Sequence, residues 1–483
     1  MGIRRRTRFT FPLLLLHLLI ITAPGHAALQ AHGLFKDGAV LQQGMPVPVW
    51  GTTDQDGPVT VIIAAQTLTA QPKDGRWQVT LKPLKSGGAP LLMTITQGKD
   101  RVEIKDLLVG EVWIGSGQSN MQWTLKDSDA KEAIATAAND KIRLITIGRT
   151  GAEQPRREVK AKWEICKPST AANFSAVLYF FGRDVQKQLA VPVGLISANL
   201  GGTTAERWIS REGLQAVPEV KDLVAPQGKN DLYNGIIAPL VPYAIRGVIW
   251  YQGESNALHY DGYPQQTHEY EILMRTLIGD WRSQWGQGDF PFLMVQLAPW
   301  QDKVKQPQDS GFAGVRAAQL RTALSVPNTA VAVTTDVGDE KDIHPKKKEP
   351  VGARLALAAR AIAYGEKIEY SGPIFERMEV EGDKAVLHFR HAHSGLVAKG
   401  DHLTGFTIAG KDQKFHNADA RIDGDTVVVH SNAVEKPVAV RYGWANYPLG
   451  NLWNKEDLPA SPFRTDDFPF KAKPKPKKKA KAL

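Results

Sequence analysis

A single cysteine, Cys166, stands in a chain of 483 residues. One thiol excludes an intramolecular disulfide framework and any cysteine-built zinc or iron–sulfur centre, and Cys166 reads as a small buried hydrophobe. Long apolar runs are also scarce: past the first 27 residues nothing approaches the ~20 apolar residues that cross a bilayer. No Gly-Lys-Ser/Thr phosphate loop occurs. The formal net charge of +10 resembles that of a polyanion binder until it is located. Arg4, Arg5, Arg6 and Arg8 lie near the start, seven lysines fill the last 13 residues, and neither end holds an acid. The body between them is close to neutral, so nothing in its charge points to nucleic acid. With 42% hydrophobic and 23% charged residues the composition is that of a globular protein, and the length allows two to four domains at about 100–200 residues each.

The two ends have their own logic. Residues 1–27 run from the arginines through an apolar stretch at 9–21, broken by Thr10 and His17, to the small residues Gly25 and Ala27. This is the pattern of a secretory signal cleaved after Ala27, and the apolar stretch is too short for a membrane anchor. Export with one cysteine fits a bacterial periplasm, or secretion, better than a disulfide-stapled extracellular module. Residues 471–483 alternate lysine with alanine and proline and bury no apolar face, which predicts a disordered tail. Such a tail is solubilising, with a weak electrostatic contact to an anionic surface as its functional reading.

Between the ends the pattern changes twice. Residues 28–108 carry short β-rich runs at 47–50, 59–64 and 77–81 between Gly, Pro and Asp clusters, which predicts a small β-sandwich-like module. From residue 109 to about 368 apolar runs at 112–114, 142–147, 193–200, 245–250, 292–297 and 330–335 alternate with segments of helical period. In one of these, residues 175–189, Leu178, Phe181, Val185 and Leu189 recur at spacings of three and four. Strand and helix in alternation predict a three-layer α/β/α fold with a mostly parallel sheet and an active site at the strands' carboxyl ends. Residues 369–470 return to strands, at 385–389, 426–430 and 438–442, as a second β-rich region.

Chemistry-bearing residues follow those strands. Gly117-Gln118-Ser119-Asn120-Met121 comes after the first, and a serine at a glycine-flanked turn suits an exposed nucleophile as well as a helix cap. Gly201-Gly202 follows the third, where a glycine turn can aim a backbone N–H as an oxyanion donor. Gln252-Gly253-Glu254-Ser255-Asn256 follows the fourth and offers side-chain amides. After the last comes a loop with Asp336, Asp339, Asp342 and His344, a base with carboxylates to orient it.

Together these motifs resemble the sialate O-acetylesterase family within the SGNH-type serine hydrolases. The likeness extends from Val40-Leu41-Gln42 and Gly75-Arg76-Trp77 through residues 114–121, 199–204, 233–240, 250–256 and 336–345 to 460–466. It implies an SGNH-hydrolase-like domain with accessory β modules, and an esterase that removes O-acetyl groups from sialic acids or related sugars without metal or organic cofactor. Ser119 would be the nucleophile and His344 the base, with the Ser119 N–H, Gly202 N–H and Gln252 side chain as oxyanion hole. The wider group has Gly-Asp-Ser where Gly117-Gln118-Ser119 stands, an asparagine in place of Gln252, and an aspartate three residues before the histidine, where Lys341 stands. The orienting acid is therefore Asp342, two before His344, with Asp339 or a serine–histidine dyad as alternatives. Arg207 is placed to meet a sialate carboxylate, and Trp208 is either a stacking surface or core. An acetylated xylan would need no such cation. A glycosidase using Glu254 with Asp339 or Asp342, or a non-catalytic carbohydrate-binding protein, would leave the serine turn unexplained.

Overall fold

In the computed structural model residues 29–219, 230–260, 267–304 and 309–470 are described, with Gly2. The leader at 1–27, Gly2 apart, and the tail at 471–483 fall outside the described residues. Among the described residues no helix is long and apolar enough to cross a membrane.

One strand organises the molecule. Asp100–Gly117 is 18 residues long, alternating in burial at its start and buried without interruption from Leu107 onward. Its first part pairs antiparallel with Leu91–Gln97 in the N-terminal β region. Its last part lies in a parallel sheet, between Val193–Asn199 and Gly247–Tyr251. Alternation suits a sheet with one wet face, whereas continuous burial marks a parallel strand covered on both faces. Residues 108 and 109, where composition changes, are consecutive within this one strand.

The parallel sheet continues outward to Asn139–Thr146 on one side and to Phe292–Val295 and Thr329–Ala332 on the other, with Glu164–Cys166 as an antiparallel edge. The chain thus lays its next strands on one side of Asp100–Gly117 and its later ones on the other. The carboxyl end of Asp100–Gly117 is the switch point, where α/β sheets open a crevice.

Helices pack on this sheet through residues that the twofold strand repeat sends to alternate faces. Trp113 meets Phe181 of helix Ala176–Leu189 with ring centroids 4.9 Å apart. Two residues on, a Cβ at Gly115 would lie 2.7 Å from the Leu178 side chain, so glycine lets that helix settle on the strand backbone. The Ser175 hydroxyl accepts the Leu178 N–H and starts the helix where its apolar period begins. Trp250, opposite Ser116 in register, meets Trp281 of helix Thr267–Trp285, centroids 5.9 Å apart.

The N-terminal β region shares one hydrophobic core with the parallel sheet, and Tyr243 donates its hydroxyl proton to the Val40 carbonyl at 2.7 Å. The region after Ile374 has a core of its own around Leu387, Phe406, Val429 and Phe463. It is tied to the sheet by the buried Arg316, whose guanidinium donates to the carbonyls of Leu297, Ala298, Ala445 and Asn446. Cys166 is buried, with its thiol pushed up to about 12 by desolvation, which disfavours the reactive thiolate.

Leu178→Ala empties the contact over Gly115 and is expected to cost about 2–5 kcal/mol of stability. Urea unfolding checks this, and a loss below about 1 kcal/mol would mean that the helix collapses freely into the gap.

Candidate active site

Strand Asp100–Gly117 ends at a glycine for two physical reasons. Gly117 has φ +125°, and a Cβ there would lie 2.1 Å from the Tyr251 carbonyl oxygen. Beside it the Gln118 N–H donates to the same Tyr251 carbonyl at 2.9 Å. The backbone then turns into the short helix Ser119–Gln122, so Ser119 stands at a helix start, half-exposed at the sheet's edge. A first-turn N–H has no partner within its own helix, which leaves the Ser119 N–H available to an anion.

The turn after Val193–Asn199 closes on the serine. A Cβ on Gly201 would lie 3.1 Å from the Ser119 Cβ, and the Gly201 N–H donates to Gln122 Oε1 at 2.8 Å. Gly202 is exposed with φ +70°, a conformation that glycine takes without strain.

His344 arrives on the loop after Thr329–Ala332. His344 Nε2 lies 2.9 Å from Ser119 Oγ. Its Nδ1 is 3.3 Å from Asp342 Oδ1, which also accepts the His344 backbone N–H at 2.9 Å. Asp339 turns the other way: its carboxylate accepts the N–H groups of Lys341 and Asp342 and shapes the loop. The ring of His344 is stacked on Trp123, centroids 4.9 Å apart and planes 15° from parallel. Burial lowers the imidazole pKa below its ordinary value of 6.5, Asp342 works to raise it, and the Lys348 charge lowers it further. Among the described residues no group of three or more His, Cys, Asp or Glu is arranged to hold a metal ion.

Residues 109–361 match the family described as carbohydrate esterase, sialic acid-specific acetylesterase. The chain belongs to this family of carbohydrate esterases. Human sialate O-acetylesterase is 32% identical over 471 residues, covering 86% of this chain and 88% of that protein. The mouse protein of the same name is 31% identical over 496 residues, covering 86% and 90%. A crystal structure of a carbohydrate acetylesterase from Xanthomonas citri aligns with a TM-score of 0.84 at 38% identity, covering 91% of this chain and all of that one. The chain is therefore a carboxylic-ester hydrolase.

Two expected site residues of this carbohydrate esterase are employed differently. Gln252 is completely buried, and its amide nitrogen faces the Thr203 carbonyl at 3.0 Å, Asn256 Oδ1 at 2.8 Å and Gln118 Oε1 at 3.2 Å. Its Oε1 accepts the Tyr270 hydroxyl at 2.9 Å. With two N–H bonds already facing three internal acceptors, Gln252 braces the glycine turn rather than offering a donor to the ester. Arg207 is held in a two-point ion pair by Asp231, at 2.9 and 2.7 Å, which occupies the face a substrate carboxylate would use. Trp208 is core, its indole N–H bonded to the Thr203 hydroxyl.

Glu254, the carboxylate a glycosidase would have needed, is buried against Asn120. Three contributors escaped the sequence reading: Trp123, Asn120 as a side chain, and Lys348. Their signal is local, since Trp123 follows Ser119, and Lys348 follows His344, by four positions.

Gln252→Ala leaves the Thr203 carbonyl without its buried donor and removes one of the two acceptors of the Tyr270 hydroxyl, whose bond to the residue 252 carbonyl remains. A stability loss of about 1–3 kcal/mol should accompany any loss of turnover, read by denaturant unfolding beside kinetics. A fall in kcat of about 10² to 10³ with stability intact would restore Gln252 to the oxyanion hole.

Proposed function

We propose that this esterase is an exported enzyme that removes O-acetyl groups from carbohydrate by a Ser119–His344–Asp342 acyl-enzyme mechanism. The observation that carries the reading is the 2.9 Å approach of His344 Nε2 to Ser119 Oγ at the mouth of the sheet. Its architecture on this reading is an SGNH-type α/β/α domain over residues 109–368, flanked by β modules at 28–108 and 369–470. The arginine-rich leader at 1–27 is the argument for periplasm or secretion.

His344 takes the Ser119 hydroxyl proton as Oγ attacks the acetyl carbonyl carbon. The carbonyl π electrons move onto oxygen, where the Ser119 and Gly202 N–H groups meet the negative charge. The C–O bond to the sugar breaks, His344 returns its proton to the departing sugar oxygen, and acetate stays esterified to Ser119. Water, deprotonated by the same ring, attacks next and frees acetate and Ser119. Every step is proton transfer and acyl transfer, so the sequence of events calls for no cofactor.

Two substrate classes remain in play. The curated relatives are named for sialates, which favours an O-acetylated sialic acid. The engagement of Arg207 by Asp231 removes the argument for a bound carboxylate and favours a neutral acetylated polysaccharide such as xylan. Acetate release measured across O-acetylated sialic acids and acetylated xylan decides between them. Release from neither, with reducing sugar liberated instead, would overturn the esterase chemistry.

Ser119→Ala should lower activity by about 10⁶ in a folded protein. Retention of activity within tenfold would exclude serine catalysis.

Because neutral His344 is the base, kcat/KM should rise with pH through an apparent pKa below 6.5. Asp342 works to raise that pKa, so Asp342→Asn should shift the limb to lower pH and cut kcat by about 10⁴. Asp339→Asn should do neither. Parallel pH profiles check this, and a kcat loss under tenfold for both would leave a serine–histidine dyad.

A further inference from the structure

Behind the serine and histidine lies a buried polar chain that acyl transfer does not use. Asn120, next to the nucleophile, is 1% exposed, and its amide nitrogen donates to Glu254 Oε1 at 2.5 Å and to the Ile343 carbonyl at 3.0 Å. Its carbonyl oxygen accepts from the Lys348 ammonium. Lys348, 1% exposed, also lies 5.8 Å from the Trp123 ring centre and 5.5 Å from that of Tyr251. Asn120 thus grips the chain on both sides of His344, at Ile343 before it and Lys348 after it. Glu254 anchors the same amide to the turn after Gly247–Tyr251. Trp123, from the serine's own turn, covers the face of the imidazole.

Buried polar groups are costly unless fully bonded, and this set is not: Glu254 Oε2 has no partner among the described residues. Burial raises the Glu254 pKa and drives the Lys348 ammonium down to about 7. A simple core would place apolar side chains here instead. What the polar set supplies is direction, since an amide between a carboxylate, a carbonyl and an ammonium has one orientation that satisfies all three.

We propose that Asn120, Glu254 and Lys348 form a clamp of positioning residues that sets the approach of His344 to Ser119. The proposal rests on the serine mechanism above. A base held at hydrogen-bond distance is effective only while the distance is kept, and a displacement of about 1 Å costs as much as 10² in rate. Among charged groups, Asp342 faces His344 from its own loop, Lys348 from the head of helix Glu349–Ile362, and Glu254 acts on it through Lys348. From the serine's turn the groups that meet the ring are neutral, the Ser119 hydroxyl and the Trp123 ring.

The test compares Asn120→Ala, Lys348→Met and Lys348→Gln with the parent, using p-nitrophenyl acetate turnover and the rate at which a fluorophosphonate labels Ser119. Asn120→Ala and Lys348→Met should lower kcat and labelling about 10²-fold with KM within about threefold. Lys348→Gln restores a neutral donor to Asn120 and should recover most of the loss. Lys348→Met removes a cation that lowers the His344 pKa, so the acidic limb of kcat/KM should move to higher pH. Parental labelling and turnover in Asn120→Ala and Lys348→Met would overturn the clamp while leaving the serine mechanism standing. A parent whose Ser119 is not labelled at all would overturn both. Loss of thermal stability in the variants, with kcat, labelling and pH limb unmoved in the folded fraction, would reduce the three residues to packing.

Discussion

The approach of the Gly117 backbone to the Tyr251 carbonyl is the contact on which the site depends. A Cβ at Gly117 would lie 2.1 Å from that oxygen, so two neighbouring parallel strands can close together at their ends only if one is glycine there. The same residue, at φ +125°, turns the chain into the helix that begins at Ser119. A bulkier residue would push the strands apart, move Gln118 off the Tyr251 carbonyl and carry Ser119 away from the loop that brings His344. The glycine is therefore a structural requirement of the candidate site, although it has no functional group to contribute.

The electrostatics of His344 are a balance of opposed effects. Burial and the Lys348 charge disfavour the imidazolium, while Asp342 favours it. On the proposed mechanism the resting state needs the neutral ring, and the tetrahedral intermediate needs the charged one. Asp342, 43% exposed and 3.3 Å from Nδ1, favours the imidazolium through a partly solvent-screened interaction. Trp123 contributes by covering one ring face, which excludes water from the base without adding charge.

Much of this was legible in the sequence, and the remainder was hidden for identifiable reasons. Strands at residues 193–199 and 292–295 and helix Ala176–Leu189 appear where apolar runs and threefold and fourfold spacings place them, because burial against a sheet imposes those periods. That Ser119, His344 and Asp342 lie side by side was legible because each follows a strand of the parallel sheet, and the ends of such strands converge. Gln252 follows a strand end as well, yet its amide turns inward to Thr203 and Asn256. Position along the chain states which edge a residue reaches, whereas the direction of its side chain depends on partners contributed by other loops. Arg207 shows the same limit: its partner Asp231 lies 24 residues on, and no spacing rule ties the two.

One buried cation, Arg316, explains why the loop that carries His344 and a β region far apart in sequence keep fixed places. Arg316 donates to four carbonyls, two from the end of the Phe292–Val295 segment and two from the Ala445-Asn446 turn. Desolvation lowers its pKa to about 9, yet the carbonyls cannot find another donor in a dry interior. Asn446 in turn accepts the Trp300 N–H, and the neighbouring Pro299 carbonyl accepts the N–H of Asp339, at the head of the turn that carries Asp342 and His344. Backbone carbonyls at strand ends have no ladder partner, and a guanidinium with five donors in one plane can bind several of them at once. The C-terminal β region is thus coupled to the catalytic loop through backbone hydrogen bonds. Such bonds are insensitive to side-chain identity, so this coupling would survive sequence drift in the β region as long as Arg316 and the turn it binds remain.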